Sequence, residues 1–171
     1  MKRQAAKDAI ICSDVGDHIY WFYKRFVCEE QQTFLCANMA GMGFGLPAAI
    51  ACQFARPHKQ VIALTGDGGF GMVGMEFTTA VHNRLAITVI LFNDGKLKNI
   101  MKEQEGYGYP EYRVSFPNPN FAEFANSAGG LGIRVSNPKE LDDALREALN
   151  SSQPSQVKLG GYPPKSDART A

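Results

Sequence analysis

Short apolar runs and stretches of helical periodicity take turns along most of this chain. Val61-Ile62-Ala63-Leu64 and Ile87-Thr88-Val89-Ile90-Leu91-Phe92 are continuous enough to be strands buried on both faces. Between them, Phe70 to Asn83 places Met72, Met75, Phe77, Ala80 and Val81 at spacings that predict one amphipathic helix. Ile10-Ile11 predicts an earlier strand and Tyr20 to Phe26 an aromatic helix, while Thr33 to Cys36 makes only a short apolar run. Lys96 to Glu105 carries the mixed charges of a solvated helix, and Gly106 to Asn120 is a Tyr- and Pro-rich loop. Phe121 to Ser127 predicts a short helix and Gly132-Ile133-Arg134-Val135 a short strand. Pro138 to Leu149 sets Leu141, Ala144, Leu145, Ala148 and Leu149 on one face of a helix, and Pro154 to Leu159 is a weak final strand. The alternation predicts an α/β fold: a doubly wound, mostly parallel sheet with helices on both faces. One domain over residues 1–159 is expected, with a disordered tail over 160–171.

Composition narrows the partners. A chain of 171 residues is long enough to bury a sizeable core, and a net charge of +1 gives no electrostatic footprint for nucleic acid. No apolar run approaches the ~18 residues of a membrane span, and Met1 to Asp8 lacks the apolar stretch of a signal peptide. Cys12, Cys28, Cys36 and Cys52 have no metal-type spacing and are expected to be reduced, mostly buried thiols of a cytoplasmic protein.

The chemistry concentrates where two strands end. Twenty-four residues separate Gly66-Asp67-Gly68 from Asn93-Asp94. A strand-helix-strand unit crosses over right-handed and leaves its strands parallel, so both loops emerge on one sheet edge. With the strands as neighbours, ~4.8 Å apart, Asp67 and Asp94 could share one cation. Mg2+ takes oxygen ligands at roughly 2.1 Å, from one or two carboxylates completed by substrate phosphates. The bare backbone at Gly68 and Gly69 would admit a phosphate at the start of the next helix. Each loop alone also reads as a turn; their occurrence together at two strand ends favours the site.

At these residues the chain resembles the thiamine-diphosphate-dependent enzymes, whose fingerprint is a Gly-Asp-Gly, a spacer of somewhat under thirty residues and an Asn-Asn pair. Here the second Asn is replaced by Asp94, which keeps the oxygen and adds a charge. The resemblance implies that Asp67, Asp94 and the backbone carbonyl of Lys96 ligate Mg2+, with Gly66, Gly68, Gly69, Asn93 and Leu97 beside the diphosphate. Asn38-Met39-Ala40-Gly41-Met42-Gly43-Phe44-Gly45-Leu46-Pro47 is similar to the aminopyrimidine-gripping segment of the acetolactate synthase and pyruvate oxidase branch. It implies Met42 as the wedge under the thiazolium, next to Gly41, and the Ala40 carbonyl as acceptor of the 4'-amino group. In Ser13-Asp14-Val15-Gly16-Asp17-His18, His18 matches a diphosphate contact. Asp17 departs from the family's Gln and is better suited to capping the helix that follows. Glu103 matches a residue facing the substrate; Asn99 stands where an aromatic is usual.

The resemblance covers about Asp8 to Asn150 and implies the diphosphate-binding fold of these enzymes. Their second domain, whose Glu protonates the pyrimidine ring, has no candidate in this sequence, and neither has the part that would bind FAD. The expected function is therefore that of a thiamine diphosphate- and Mg2+-binding domain of a 2-oxo acid decarboxylating enzyme, acting on a substrate such as pyruvate. It would be incomplete without a pyrimidine-binding domain or subunit in trans, and is expected to form a homo-oligomer. Two other readings stand beside it. Gly41-x-Gly43-x-Gly45, with Asp67 about twenty residues on, also resembles a dinucleotide-binding loop of Rossmann type, though with the wrong spacing. A non-catalytic fragment or interaction subunit would keep the fold and expose an apolar face around Gly41 to Phe44.

Overall fold

The computed structural model describes residues 3–36 and 39–160; the expected tail, from residue 161 onward, and Asn38 lie outside them. Six strands form one parallel sheet: β1 (Ile10–Ser13), β2 (Gln32–Leu35), β3 (Val61–Gly66), β4 (Ile87–Phe92), β5 (Leu131–Val135) and β6 (Ser155–Leu159). Their order is β2-β1-β3-β4-β6-β5. The alternation of side chains explains why the apolar runs are continuous. In β3, Val61 and Ala63 face one cluster with Leu46, Ala49, Phe70, Phe77 and Phe121. Ile62 and Leu64 face the other, with Phe22, Leu145, Ala148 and Val157. The first layer comprises α2 (Gly45–Ala55), α3 (Asp67–Val73), α4 (Glu76–His82) and α6 (Phe121–Ser127), and the second α1 (Asp17–Arg25) and α7 (Leu141–Leu149). The predicted doubly wound α/β fold is what forms.

Several elements depart from their sequence patterns, each for a local reason. The single helix expected from Phe70 to Asn83 begins three residues earlier and divides into α3 and α4. At the join the nitrogens of Phe77 and Thr78 donate to the carbonyls of Gly74 and Met75, both at 3.0 Å, so the chain tightens to i→i+3 bonding. The buried Phe70 ring lies against Gly74, where a Cβ would meet it at 2.8 Å. The expected helix from Pro138 opens as a 3-10 turn, Pro138–Glu140, with a capping box between Asn137 and Glu140. The Gly- and Ala-rich segment Gly45–Ala55, given no element above, is the helix α2. The weak final strand is an interior one: β6 lies between β4 and β5, and Ser155 Oγ donates to the Ala148 carbonyl at 3.0 Å. Of the four cysteines expected to be mostly buried, only Cys12, within β1, is buried.

Helix α6 packs so closely on β5 that a Cβ at Gly132 would overlap the Ala122 carbonyl. Gly132→Ala is expected to cost about 3 kcal/mol through the backbone shift it forces, visible as a lower urea midpoint; an unchanged midpoint would show that α6 yields freely.

Candidate functional site

The loops after β1, β3 and β4 meet at one edge of the sheet because the three strands are neighbours and parallel. Register sets Gly66 beside Phe92, so Asp67 and Asn93-Asp94 follow adjacent strand ends. Asp67 is buried, and its carboxylate is the hub of the junction. Its Oδ2 accepts from the backbone nitrogens of Asp94 (2.9 Å) and Gly95 (2.6 Å) and from Asn118 Nδ2 (2.6 Å). Its Oδ1 accepts from the Gly68 nitrogen alone (2.8 Å). Asn118 Nδ2 also donates to Asn93 Oδ1 at 2.9 Å, which joins the 106–120 loop to both motifs.

A second buried carboxylate lies one strand away. Asp14 is 0% exposed. Its Oδ1 accepts from the nitrogens of Val15 (2.8 Å), Gly43 (2.8 Å) and Phe44 (3.2 Å), and its Oδ2 from Thr65 Oγ1 (2.9 Å). It thereby pins the 40–44 loop, and with it Met42, to the ends of β1 and β3. A Cβ at Gly68 would meet Met42 Cε at 2.8 Å and Leu97 Cδ2 at 3.0 Å. A Cβ at Gly69 would run into Asp14 Oδ2. At Gly68 and Gly69 the chain's own side chains thus fill the space a Cβ would need. Ala40 adopts φ 46°, a left-handed conformation rare for a residue with a Cβ and typical of strained functional loops.

His18 is buried and stacks on Phe92, ring centroids 5.4 Å apart at 13°. Its Nε2 is covered and has no hydrogen-bond partner among the described residues, the kind of group an anionic oxygen would satisfy. Burial pushes its pKa down, against the pull of Asp14 and Asp17. Asp17 does not cap α1: the helix begins at Asp17 itself, after Gly16, with no side-chain cap bond. Its carboxylate pairs instead with Lys102 of α5 (Lys98–Gly106). Partial burial works to raise the Asp17 carboxyl, but Lys102 holds it below the ordinary range. Asp94 Oδ1 accepts from the Lys96 nitrogen at 3.0 Å, and Asp94 Oδ2 pairs with Lys98 Nζ at 2.6 Å. Glu103 on α5 is exposed and has no side-chain partner among the described residues.

Of the residues expected from the sequence, His18, Met42, Gly66, Asp67, Gly68, Gly69, Asn93, Asp94, Lys96 and Leu97 come together through these contacts, with Ala40 and Gly41 on the loop that Asp14 fixes. Asp14 and Asn118 were not foreseen as site residues. The available signals were an acid closing the apolar run of β1 and an Asn held between Pro117 and Pro119. An open cleft of about 510 Å3 extends from Asp67 and Gly68 along Phe70, Met72, Leu97 and Phe116. The dinucleotide reading meets an obstacle: the N–H groups of Gly43 and Phe44, which a pyrophosphate would need, are already bonded to Asp14. No helix of the described residues is long and apolar enough to cross a membrane.

The chain is similar to known proteins in sequence and in fold. Residues 14–159 match the family model described as thiamine pyrophosphate enzyme, C-terminal TPP binding domain. The Bacillus subtilis protein named "Putative thiamine pyrophosphate-containing protein YdaP" is 40% identical over 167 residues, 96% of this chain and 29% of its own length. The acetolactate synthase large subunit of Lactococcus lactis subsp. lactis is 38% identical over 156 residues, 89% of this chain and 27% of that subunit. In fold, the chain is similar to the thiamine diphosphate-dependent 4-hydroxybenzoylformate decarboxylase of Rhodococcus jostii RHA1, with a TM-score of 0.84 and 24% identity, over 92% of this chain and 30% of that one. The chain spans less than a third of the length of these relatives.

The depressed pKa of His18 makes stability depend on pH. Below the ordinary value of 6.5 the unfolded chain binds a proton on this ring more readily than the folded one. The contribution is therefore complete above that pH and is lost as pH falls from it through the lower folded value. Thermal melts between pH 7.5 and 5 should show the midpoint falling, and His18→Asn should flatten the dependence; an equal fall in the variant would assign the effect elsewhere.

Proposed function

The chain belongs to the thiamine pyrophosphate enzymes, as their C-terminal TPP-binding domain, and on that premise we propose that it holds the diphosphate end of thiamine diphosphate through Mg2+, in an acetolactate synthase- or pyruvate oxidase-like enzyme acting on a 2-oxo acid such as pyruvate. The observation that carries this reading is the oxygen set at two adjacent strand ends, Asp67 after β3 and Asp94 after β4. Oxygen donors suit a hard ion such as Mg2+. Among the described residues no group of three or more His, Cys, Asp or Glu could hold a metal by itself. Asp67, Asp94 and the Lys96 carbonyl therefore leave part of the coordination sphere to phosphate oxygens.

When bound, thiamine diphosphate supplies a thiazolium carbanion that serves as nucleophile and electron sink for decarboxylation. The chain's own part is to hold and orient. His18 and the loops at Gly66 to Gly69 and Asn93 to Leu97 would hold the diphosphate, Met42 would prop the ring system, and the Ala40 carbonyl would accept from the pyrimidine amine. Glu103, exposed on α5, would be the residue of this chain that meets substrate.

What remains open on this chain supports a missing partner. Met39, Met72 and Met75 are exposed, Met39 by 87%, and the cleft beside Asp67 is apolar along most of its wall. Such a face suits burial against a pyrimidine-binding domain, in the same polypeptide or in trans, within a homo-oligomer. FAD, if used, belongs to those other parts.

Thiamine diphosphate should quench or shift the emission of Trp21, the chain's one tryptophan, saturably and only with Mg2+ present. Asp67→Asn should weaken that binding by about tenfold or more. Metal-independent NAD binding in its place would favour the dinucleotide reading. The isolated chain should form no acetate, acetaldehyde or acetolactate from pyruvate; turnover would show that it is more than half of a site.

A further inference from the structure

Helix α5 lays two lysines, one turn apart, across the acids of the site. Lys98 Nζ is 2.6 Å from Asp94 Oδ2, both side chains being 39% exposed, and Lys102 pairs with Asp17 at the start of α1. Spacing of i and i+4 puts the two ammoniums on one face of the helix, so α5 straddles the strip between the β4 loop and the residue before His18. Each oxygen of the Asp94 carboxylate has one partner. One oxygen takes the Lys96 N–H and the other the Lys98 ammonium. Asp67 differs, because its Oδ1 carries a single hydrogen bond while Oδ2 carries three. A divalent ion can approach Asp67 through Oδ1 without breaking the junction, whereas at Asp94 Oδ2 it competes with the Lys98 ammonium for the same oxygen.

We propose that Lys98 is an internal counter-cation that couples metal binding to diphosphate binding: it holds Asp94 until a divalent ion displaces it, and the freed ammonium then pairs with the diphosphate beside Lys102. This rests on the reading of Asp67 and Asp94 as metal ligands. It adds a specificity-determining residue that neither the glycine loops nor the carboxylates account for. The swap opposes binding of the metal alone and favours binding of the two ligands together. By linkage, each ligand then raises the affinity of the other.

The signature is a pair of effects of opposite sign, which a purely structural role for Lys98 would not produce. Mn2+, which shares the octahedral oxygen preference of Mg2+, is titrated into the chain by the loss of its free-ion EPR signal. Thiamine diphosphate is titrated at saturating Mg2+ by Trp21 fluorescence. Lys98→Met should tighten Mn2+ binding about two- to fivefold, the range expected for losing a partly exposed ion pair, and weaken thiamine diphosphate binding by a similar factor. Lys102→Met should change Mn2+ binding less, because Asp17 is not a ligand. If the wild-type chain binds neither probe, the functional reading falls and this coupling with it. If it binds both, the coupling alone is overturned by any of three results: Lys98→Met leaves either constant unchanged, it moves both in the same sense, or Lys102→Met tightens Mn2+ as much.

Discussion

A carboxylate without solvent contact holds the site in shape. Burying a charge costs several kcal/mol unless hydrogen bonds replace the lost water, and Asp14 recovers that cost from three backbone N–H groups and the Thr65 hydroxyl. Two of those N–H groups, on Gly43 and Phe44, belong to the start of α2, where a helix would otherwise attract an external anion. Asp14 thus acts as the resident anion of that helix and fixes the loop before it. The glycines follow from the same constraint: Gly69 has no side chain because Asp14 occupies the space, and Gly45 packs against the Asp14 Cβ. With the loop fixed, Met42 reaches Gly68 and Leu97, and three loops from distant parts of the chain share one surface.

The two buried acids divide the labour. Asp14 spends its lone pairs on the scaffold, whereas Asp67 gathers three donors on one oxygen and leaves the other lightly used. That asymmetry distinguishes a carboxylate that positions from one that still has capacity to bind. Around them, Asp17 and Asp94 are more exposed and find their counter-ions on α5. The site grades from a rigid, charge-satisfied floor to a rim of exchangeable ion pairs.

Much of this was legible in the sequence, for physical reasons that differ by element. The runs at Val61 to Leu64 and Ile87 to Phe92 could be assigned because a strand covered on both faces is apolar at nearly every position, Thr88 being the exception here. β6 was faint because Ser155, Gln156 and Lys158 are buried polar residues within it. The division between α3 and α4 depends on the Phe70 ring against Gly74, a tertiary contact that periodicity does not encode. Asp67 and Asp94 stood out because their motifs recur at a spacing that topology explains. Asp14 and Asn118 did not, because a single Asp or Asn in a loop ordinarily reads as a turn residue. Asp17 was assigned to a cap on local grounds, and its actual partner lies eighty-five residues away.

The place of β6 also bears on how the sheet is assembled. β4 and β5 both precede it in the chain, yet neither pairs with the other; each pairs with β6. On the ribosome, therefore, the four strands ending at β4 and the lone β5 emerge with a strand-wide gap between them. The interior edge of β4, rich in Val, Ile and Leu, stays open until Ser155 to Leu159 has left the exit tunnel. During that interval another strand of matching pattern could enter the gap. That exposure ends with the insertion of five residues.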